Sequence, residues 1–591
     1  NRLPADGKVQ LRYEGNILSD SIQGPFGMPD AVLDADAVYL DGSSHWVPRI
    51  EGFPAYTFKL EVTVPQEWQI LSQGRRTVQG KAVVFEMTHP QQDIYLVGGP
   101  YQRFSTMHDG IELEIYLYEA DSGLADSYLQ ASADYISLYS DWIGAYPYTR
   151  FAVVENRWQT GYGMPSFTLL GSRVIRLPFI LYTSLPHEIL HNWWGNGVYI
   201  DFSKGNWSEG LTAYMSDHYS NEQQGKGAEY RRKALERYAN FAAEGRDFAL
   251  ADFRSRHDEA SQAVGYSKSL MLFHMLRRLG GKERFNQGIR HFWQQYRFRS
   301  AAFPDVIKAL FAGTDADYTA FIEQWLNRTG APEITLGEVT VSKINDDYVL
   351  SVETRQQQNG PAYSLRIPLE VSLEGRQQPV REQVDLSAKR RLHTYSYKQR
   401  PQSIRLDPDY DVFRLLDPRE RPASLGRLFG AKHQLLVMPQ AVDKDQRKAW
   451  QELAAAWSRL YNNVELADSN AVNDLPQDAA VWLLGWQNEL VERLQQRFTS
   501  TTQQLSVRVA TINDQQLPAD KHTVVMLDPD NTRTPLGFIG ADDPESILMM
   551  ARKLPHYSSY GVLVFDKPQA KNIIKQHLPV LDSPLARQLG P

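Results

Sequence analysis

The sequence predicts a multidomain α+β protein, and three observations predict it. At 591 residues the chain exceeds what a single hydrophobic core holds and suggests three or four domains. Its apolar periodicity changes along the chain: two at first, three to four from about residue 122, two again after about 333, and strands alternating with helices from about 419. A content of 42% hydrophobic, 23% charged and 11% aromatic residues describes a globular chain, not a disordered or fibrous one.

The expected elements follow in order. Residues 1–121 form an N-terminal β domain, with alternating strands at Thr57–Val64, Ala82–Met87 and Ile111–Tyr116. Leu124, Tyr128, Ala131, Tyr135, Leu138 and Trp142 then recur at helical spacing, a core stripe that opens a mainly helical region, 122–332, which includes a helix over Ala228–Ala243. Within it Arg231-Arg232-Lys233 reads as a solvated helix face, and His218, His257, His274 and His291 as packed or surface residues. Strands return at Thr335–Lys343, Tyr348–Thr354, Leu365–Leu373 and Arg391–Tyr397, giving a small β-sandwich over 333–418, and the proline-bearing Asp417–Pro422 reads as a linker. In 419–591, strands at Gln434–Met438, Ala480–Leu484, Val524–Leu527 and Gly561–Phe565 alternate with helical stretches such as Trp450–Tyr461. This predicts a C-terminal α/β domain of unassigned role with a largely parallel sheet; it has no phosphate-binding glycine loop.

Charge and composition limit the partners. A net charge of −7 without a basic run gives no footprint for nucleic acid. The absence of cysteine excludes disulfides, thiol catalysis and cysteine metal sites. No stretch of 18 apolar residues predicts a transmembrane span, and because the chain begins at Asn1, a removed export signal and a periplasmic or cell-envelope location are expected. Oligomeric state leaves no trace in the sequence.

The chemistry concentrates in Leu185-Pro186-His187-Glu188-Ile189-Leu190-His191-Asn192-Trp193-Trp194. Two histidines four apart on one helix face can hold one zinc ion while the intervening glutamate addresses an activated water. With 14 histidines among 591 residues, such a motif arises by chance on the order of 0.02 times. Ser184 is the expected N-cap, Pro186 fits the first turn, and Gly195 and Gly197 end the helix. A catalytic zinc needs a third protein ligand, and Glu209, opening the apolar run after Asn206-Trp207-Ser208, supplies it.

These residues resemble the aminopeptidase N family of gluzincin metallopeptidases, through His187–Asn196 and Ser208-Glu209-Gly210. The family spaces its glutamate by eighteen residues, whereas 17 separate His191 from Glu209 here. Val264-Gly265-Tyr266-Ser267-Lys268-Ser269, Phe321–Gly330 and Trp142–Tyr148 resemble further family segments. The resemblance implies a thermolysin-like catalytic domain over 122–332, one zinc ion on His187, His191 and Glu209, Glu188 as general base, and Tyr266 stabilising the oxyanion.

The chain departs from the family at Thr160-Gly161-Tyr162-Gly163-Met164-Pro165-Ser166. Where family exopeptidases carry a glutamate that binds the substrate's α-amine, this sequence has Pro165, with neither charge nor amide donor. Gly163 and Met164 still line the substrate strand by resemblance, and Glu155, a few residues upstream, is a candidate for the amine. The expected function is therefore a zinc-dependent peptidase acting on peptides, aminopeptidase-like with altered specificity. Exo- versus endopeptidase action stays open, and a non-catalytic peptide-binding or scaffolding protein on the same fold is the alternative.

Overall fold

The computed structural model describes residues 9–15, 17, 31–48, 55–65, 67–158, 161–243, 245–313, 317–461, 463–472, 474–496, 498, 503–530, 534–567, 569–580 and 582–590. Asn1 and Thr160 lie outside them. The chain forms two compact units, Asn1–Ser220 with Gly280–Ala316, and Asn221–Leu279 with Asp317–Pro591.

In the first unit the expected alternation yields strands at Tyr56–Thr63 and Ala82–Gln91, joined by Arg75–Gln79 into an antiparallel sheet. A second sheet orders Ala31–Leu33, Val38–Leu40, Leu96–Gly99 and Gln69–Leu71. The sheet that positions the site has five strands, in the order Gly161–Met164, Phe167–Gly171, Arg150–Asn156, Ile111–Leu117 and Gln102–His108. Its middle strand is parallel to both neighbours and its outer pairs are antiparallel, so this sheet continues across residue 121. One face carries a core of Tyr39, Tyr116, Val154, Met164, Phe167 and Leu169.

The helix Ser122–Trp142 starts where the Asp121 carboxylate accepts the Leu124 amide, an N-cap bond. Its buried face is Ala125, Tyr128, Leu129, Ser132, Ala133, Ile136 and Tyr139, so of the expected stripe only Tyr128 is fully buried. The other expected residues, Leu124, Ala131, Tyr135, Leu138 and Trp142, are half-buried.

The second unit contains a helical part, a sandwich and an α/β part. The helix Gly227–Phe241 buries Arg231, whose guanidinium lies 3.1 Å from Asp411 and donates to the carbonyl of Asp409 at 2.9 Å, so the basic run is not a solvated face. His274 is likewise buried and contacts Asp411 at 2.9 Å. The sandwich pairs Ile334–Ile344, Asp347–Gln356 and Arg390–Tyr397 in one sheet, and Val380–Leu386, Leu365–Leu373, Pro401–Leu406 and the near-terminal Ala586–Gln588 in the other. Asp417–Pro422 is packed structure, contrary to the linker expectation. Glu420 is buried and binds the buried guanidinium of Arg414 at 2.7 and 3.0 Å, and Arg414 also holds Asp407 at 2.8 Å.

The α/β part has seven strands, in the order Val464–Asp468, Gln434–Met438, Ala480–Leu484, Leu536–Gly540, His522–Leu527, Val562–Asp566 and Asn572–Gln576. The first four run parallel and the last three pairings are antiparallel, so the sheet is mixed, not largely parallel. Where the parallel strands diverge, a place where such sheets commonly bind ligands, Pro439 packs on Gly485 and Asn488 binds the carbonyls of Val437 and Leu484. Among the described residues no helix is long and apolar enough to cross a membrane.

Candidate metal centre

The helix that carries the motif is short, Ser184–Leu190. Thr183, not Ser184, precedes it as cap, and its hydroxyl turns back to the Phe179 carbonyl at 2.9 Å. His191 keeps helical backbone angles and its amide reaches the His187 carbonyl at 3.2 Å, so the four-residue spacing survives past the last regular turn. Gly195, at φ +106°, then ends the turn. Leu185, Ile189, Leu190, Trp193 and Trp194 are all fully buried, and the Trp193 indole donates to the Gly144 carbonyl at 2.9 Å. This apolar anchoring fixes the face that turns both imidazoles one way.

Glu209 sits in the first turn of the helix Ser208–Ala213, seated by the fully buried Trp207, whose indole donates to the Ala301 carbonyl at 2.9 Å. The structure thus brings His187, His191 and Glu209 together. The Nε2 atoms of the histidines are 3.2 Å apart, and Glu209 Oε2 lies 3.6 Å from His187 and 3.5 Å from His191. The centre of a triangle with those sides is about 2.0 Å from each corner, the length of a zinc bond to nitrogen or carboxylate oxygen.

The remaining ring nitrogens are committed elsewhere. His187 Nδ1 lies 3.1 Å from Asp217 Oδ2, and His191 Nδ1 lies 3.0 Å from the carbonyl of Trp194. Both partners accept, so each Nδ1 carries the hydrogen and each Nε2 presents its lone pair to the triangle. Asp217 escaped the sequence reading. It lies in a π-helical turn, Tyr214–His218, that continues the helix of Glu209. A carboxylate eight residues beyond a ligand glutamate was the only available signal.

Electrostatics favour positive charge at the centre. Burial opposes ionisation of Glu209, yet the two imidazoles hold its carboxyl far below the usual range. Burial also opposes charge on His187 and His191, but Asp217 and Glu209 raise the first and Glu209 raises the second. Glu188 is pushed up by burial, with Glu209 and Asp217 adding to that effect against the two histidines. A group raised in this way is suited to accepting and then returning a proton.

The strand Gly161–Met164 is the edge of its sheet and lies directly over Glu188. A Cβ built on Gly163 would come within 2.5 Å of Glu188 Oε2, and one on Gly161 within 3.5 Å of Oε1. A side chain at 163 would therefore displace the Glu188 carboxylate, and glycine leaves that carboxylate its room. Met164 is buried and pairs with Phe167, so Pro165 and Ser166 form a two-residue hairpin turn with Ser166 at φ +68°. Asn192, fully buried, ties this turn to the motif: its Oδ1 accepts the Ser166 amide at 2.9 Å and its Nδ2 donates to the Ile189 carbonyl at 2.9 Å.

Glu155 is not available for an amine. It is buried, paired with Arg176 at 2.5 Å, and accepts the Tyr118 amide at 2.9 Å. Tyr266 belongs to the second unit, half-buried in the π-helical turn Ala263–Lys268, its ring edge-on to Phe253 at 6.1 Å.

Comparison with known proteins places a family domain over this part of the chain. The profile of the peptidase family M1 domain matches residues 181–325, a span that includes both histidines and Glu209. Residues 181–325 are a peptidase family M1 domain. The chain is also similar to several curated proteins. Aminopeptidase 2, mitochondrial, of Saccharomyces cerevisiae is 26% identical over 31% of this chain and 20% of its own length. The alanine/arginine aminopeptidase of the same yeast is 22% identical over 50% of this chain and 37% of its own. Aminopeptidase N of Escherichia coli K12 is 22% identical over 59% and 38%. The chain therefore spans well under half the length of each of these three relatives.

Proposed function

We propose that this chain is a zinc-dependent metallopeptidase of the aminopeptidase type, with altered recognition of the substrate N-terminus. The observation that carries the reading is the triangle of His187, His191 and Glu209, with Glu188 lying between it and the edge strand. The named relatives, all aminopeptidases, support a peptide substrate.

A zinc ion bound by those three residues would supply a Lewis acid and make a water nucleophilic near neutral pH. Glu188 takes the proton of the attacking water on a carboxylate oxygen and returns it to the leaving amine. The backbone of Gly161–Met164, as the outermost strand of its sheet, aligns an extended peptide by strand addition. Asp217 and the Trp194 carbonyl keep both ligand imidazoles oriented. Tyr266 is assigned to the developing oxyanion on the resemblance of its motif.

Specificity follows from residue 165. Proline at the hairpin corner offers no carboxylate, and Glu155 is consumed by Arg176. Recognition of a free α-amine therefore does not run through either residue. Matched peptides with free and acetylated N-termini test this. Comparable kcat/KM on both is expected; a preference of about 100-fold for the free form, some 3 kcal/mol of selective binding, would restore amine recognition by another group. No hydrolysis of any peptide by zinc-loaded protein would favour a peptide-binding role.

A further inference from the structure

Tyr266 lies in a π-helical turn, Ala263–Lys268, between the short helix Glu259–Gln262 and the long helix Ser269–Gly280. A π turn holds one residue more than an α turn, and one residue rotates a side chain by about 100° around the helix axis. Which register the turn adopts therefore decides where the Tyr266 ring points.

Two sets of contacts, both within the second unit, hold that register. On one side Gly265 presses its bare Cα against Phe253, where a Cβ would come within 2.1 Å of the ring. On the other, the buried ammonium of Lys268 lies 3.4 Å from Asp247 Oδ2 and 3.3 Å from the carbonyl of Arg328. The same Asp247 oxygen accepts the Tyr238 hydroxyl at 2.9 Å and the Gly330 amide at 2.5 Å. The rings of Phe413 and Tyr238, centred 5.7 and 6.0 Å from the ammonium, close the pocket. Burial pulls the Lys268 amine below its usual range while Asp247 opposes that pull.

A buried lysine and carboxylate add little to stability, because desolvation offsets most of their attraction; their best-attested use is to fix a register. Relaxing the turn to α geometry would rotate Lys268 relative to Tyr266 and break its bonds to Asp247 and Arg328. We propose that Lys268, anchored by Asp247 and the Arg328 carbonyl, is a positioning residue that holds the π register presenting Tyr266. The inference rests on the role proposed for Tyr266, yet the placement of the ring can be measured without activity.

The test uses the full zinc-loaded chain with 3-fluorotyrosine at position 266. Its fluorine resonance is expected to shift or split in Lys268→Met and in Asp247→Asn, and to stay unchanged in the surface control Lys444→Met. In kinetics, Lys268→Met should lower kcat about 10- to 100-fold with KM little changed, and should cost nothing further in a Tyr266→Phe background. An unmoved resonance in the folded variants, or losses that multiply with Tyr266→Phe, overturns the proposal. If Lys268→Met does not fold, Asp247→Asn, which preserves size, decides. Full kcat in Tyr266→Phe would instead remove the oxyanion role, leaving the resonance to judge the positioning.

Discussion

His187 Nδ1 and Asp217 Oδ2 lie 3.1 Å apart, a contact that leaves Nε2 of the same ring to face His191 and Glu209. The carboxylate fixes the tautomer and makes the imidazole a stronger donor to a metal. Asp217→Asn should therefore weaken zinc affinity by about 10- to 100-fold while the fold persists. Competition against a chelator of known affinity measures this, and unaltered affinity would show that Asp217 does not orient the ligand.

Gly163 and Glu188 make the second relationship that can be broken by one atom. In Gly163→Ala the new methyl would lie within 2.5 Å of Glu188 Oε2, and the flexible carboxylate is the part able to move. Stability should change by less than about 1 kcal/mol, since no core packing is lost. A misplacement near 1 Å typically costs about 100-fold, so kcat should fall by that order with zinc retained. Wild-type turnover in this variant would mean that Glu188 is not confined by the edge strand.

Stability should depend on pH through His274 and Asp411. Burial pushes the His274 imidazole down to about 4 from 6.5. Burial works against charge on Asp411 too, but His274 and the guanidinium groups of Arg231 and Arg278 bring its carboxyl down to about 2 from 3.8. Both folded values lie below the unfolded ones, so the folded state binds fewer protons and loses stability as pH falls. The His274 share is fully present above pH 6.5 and disappears as pH falls through 4; its size is about 3 kcal/mol. Melting curves at stepped pH should decline across that window in the wild type and less steeply in His274→Gln. Parallel declines would assign the acid sensitivity to other groups.

Much of this protein was legible in its residues, and the exceptions have physical causes. Period-two alternation located the strands Tyr56–Thr63 and Asp347–Gln356 well, because each has one face against a core. Strand direction was not legible: His522–Leu527 and Val562–Asp566 are both almost wholly buried, so both read as apolar runs, and they are antiparallel. The buried charges of Arg231, Arg414 and Glu420 were hidden because a charged residue in sequence looks the same with or without a buried partner. At the site, His187, Glu188 and His191 could be read from spacing alone, since a helix turns four residues into one face. Asp217 could not, because a π turn alters that spacing, and the Trp194 carbonyl carries no side-chain signature at all.

The central claim, a zinc peptidase with Glu188 as its general base, is tested most directly by Glu188→Gln. Metal analysis and peptide hydrolysis should be measured together on this variant and the wild type. The account predicts one zinc per chain in both, with turnover in the variant reduced by about 1,000-fold or more. Hydrolysis within tenfold of wild type by the zinc-loaded variant would contradict it.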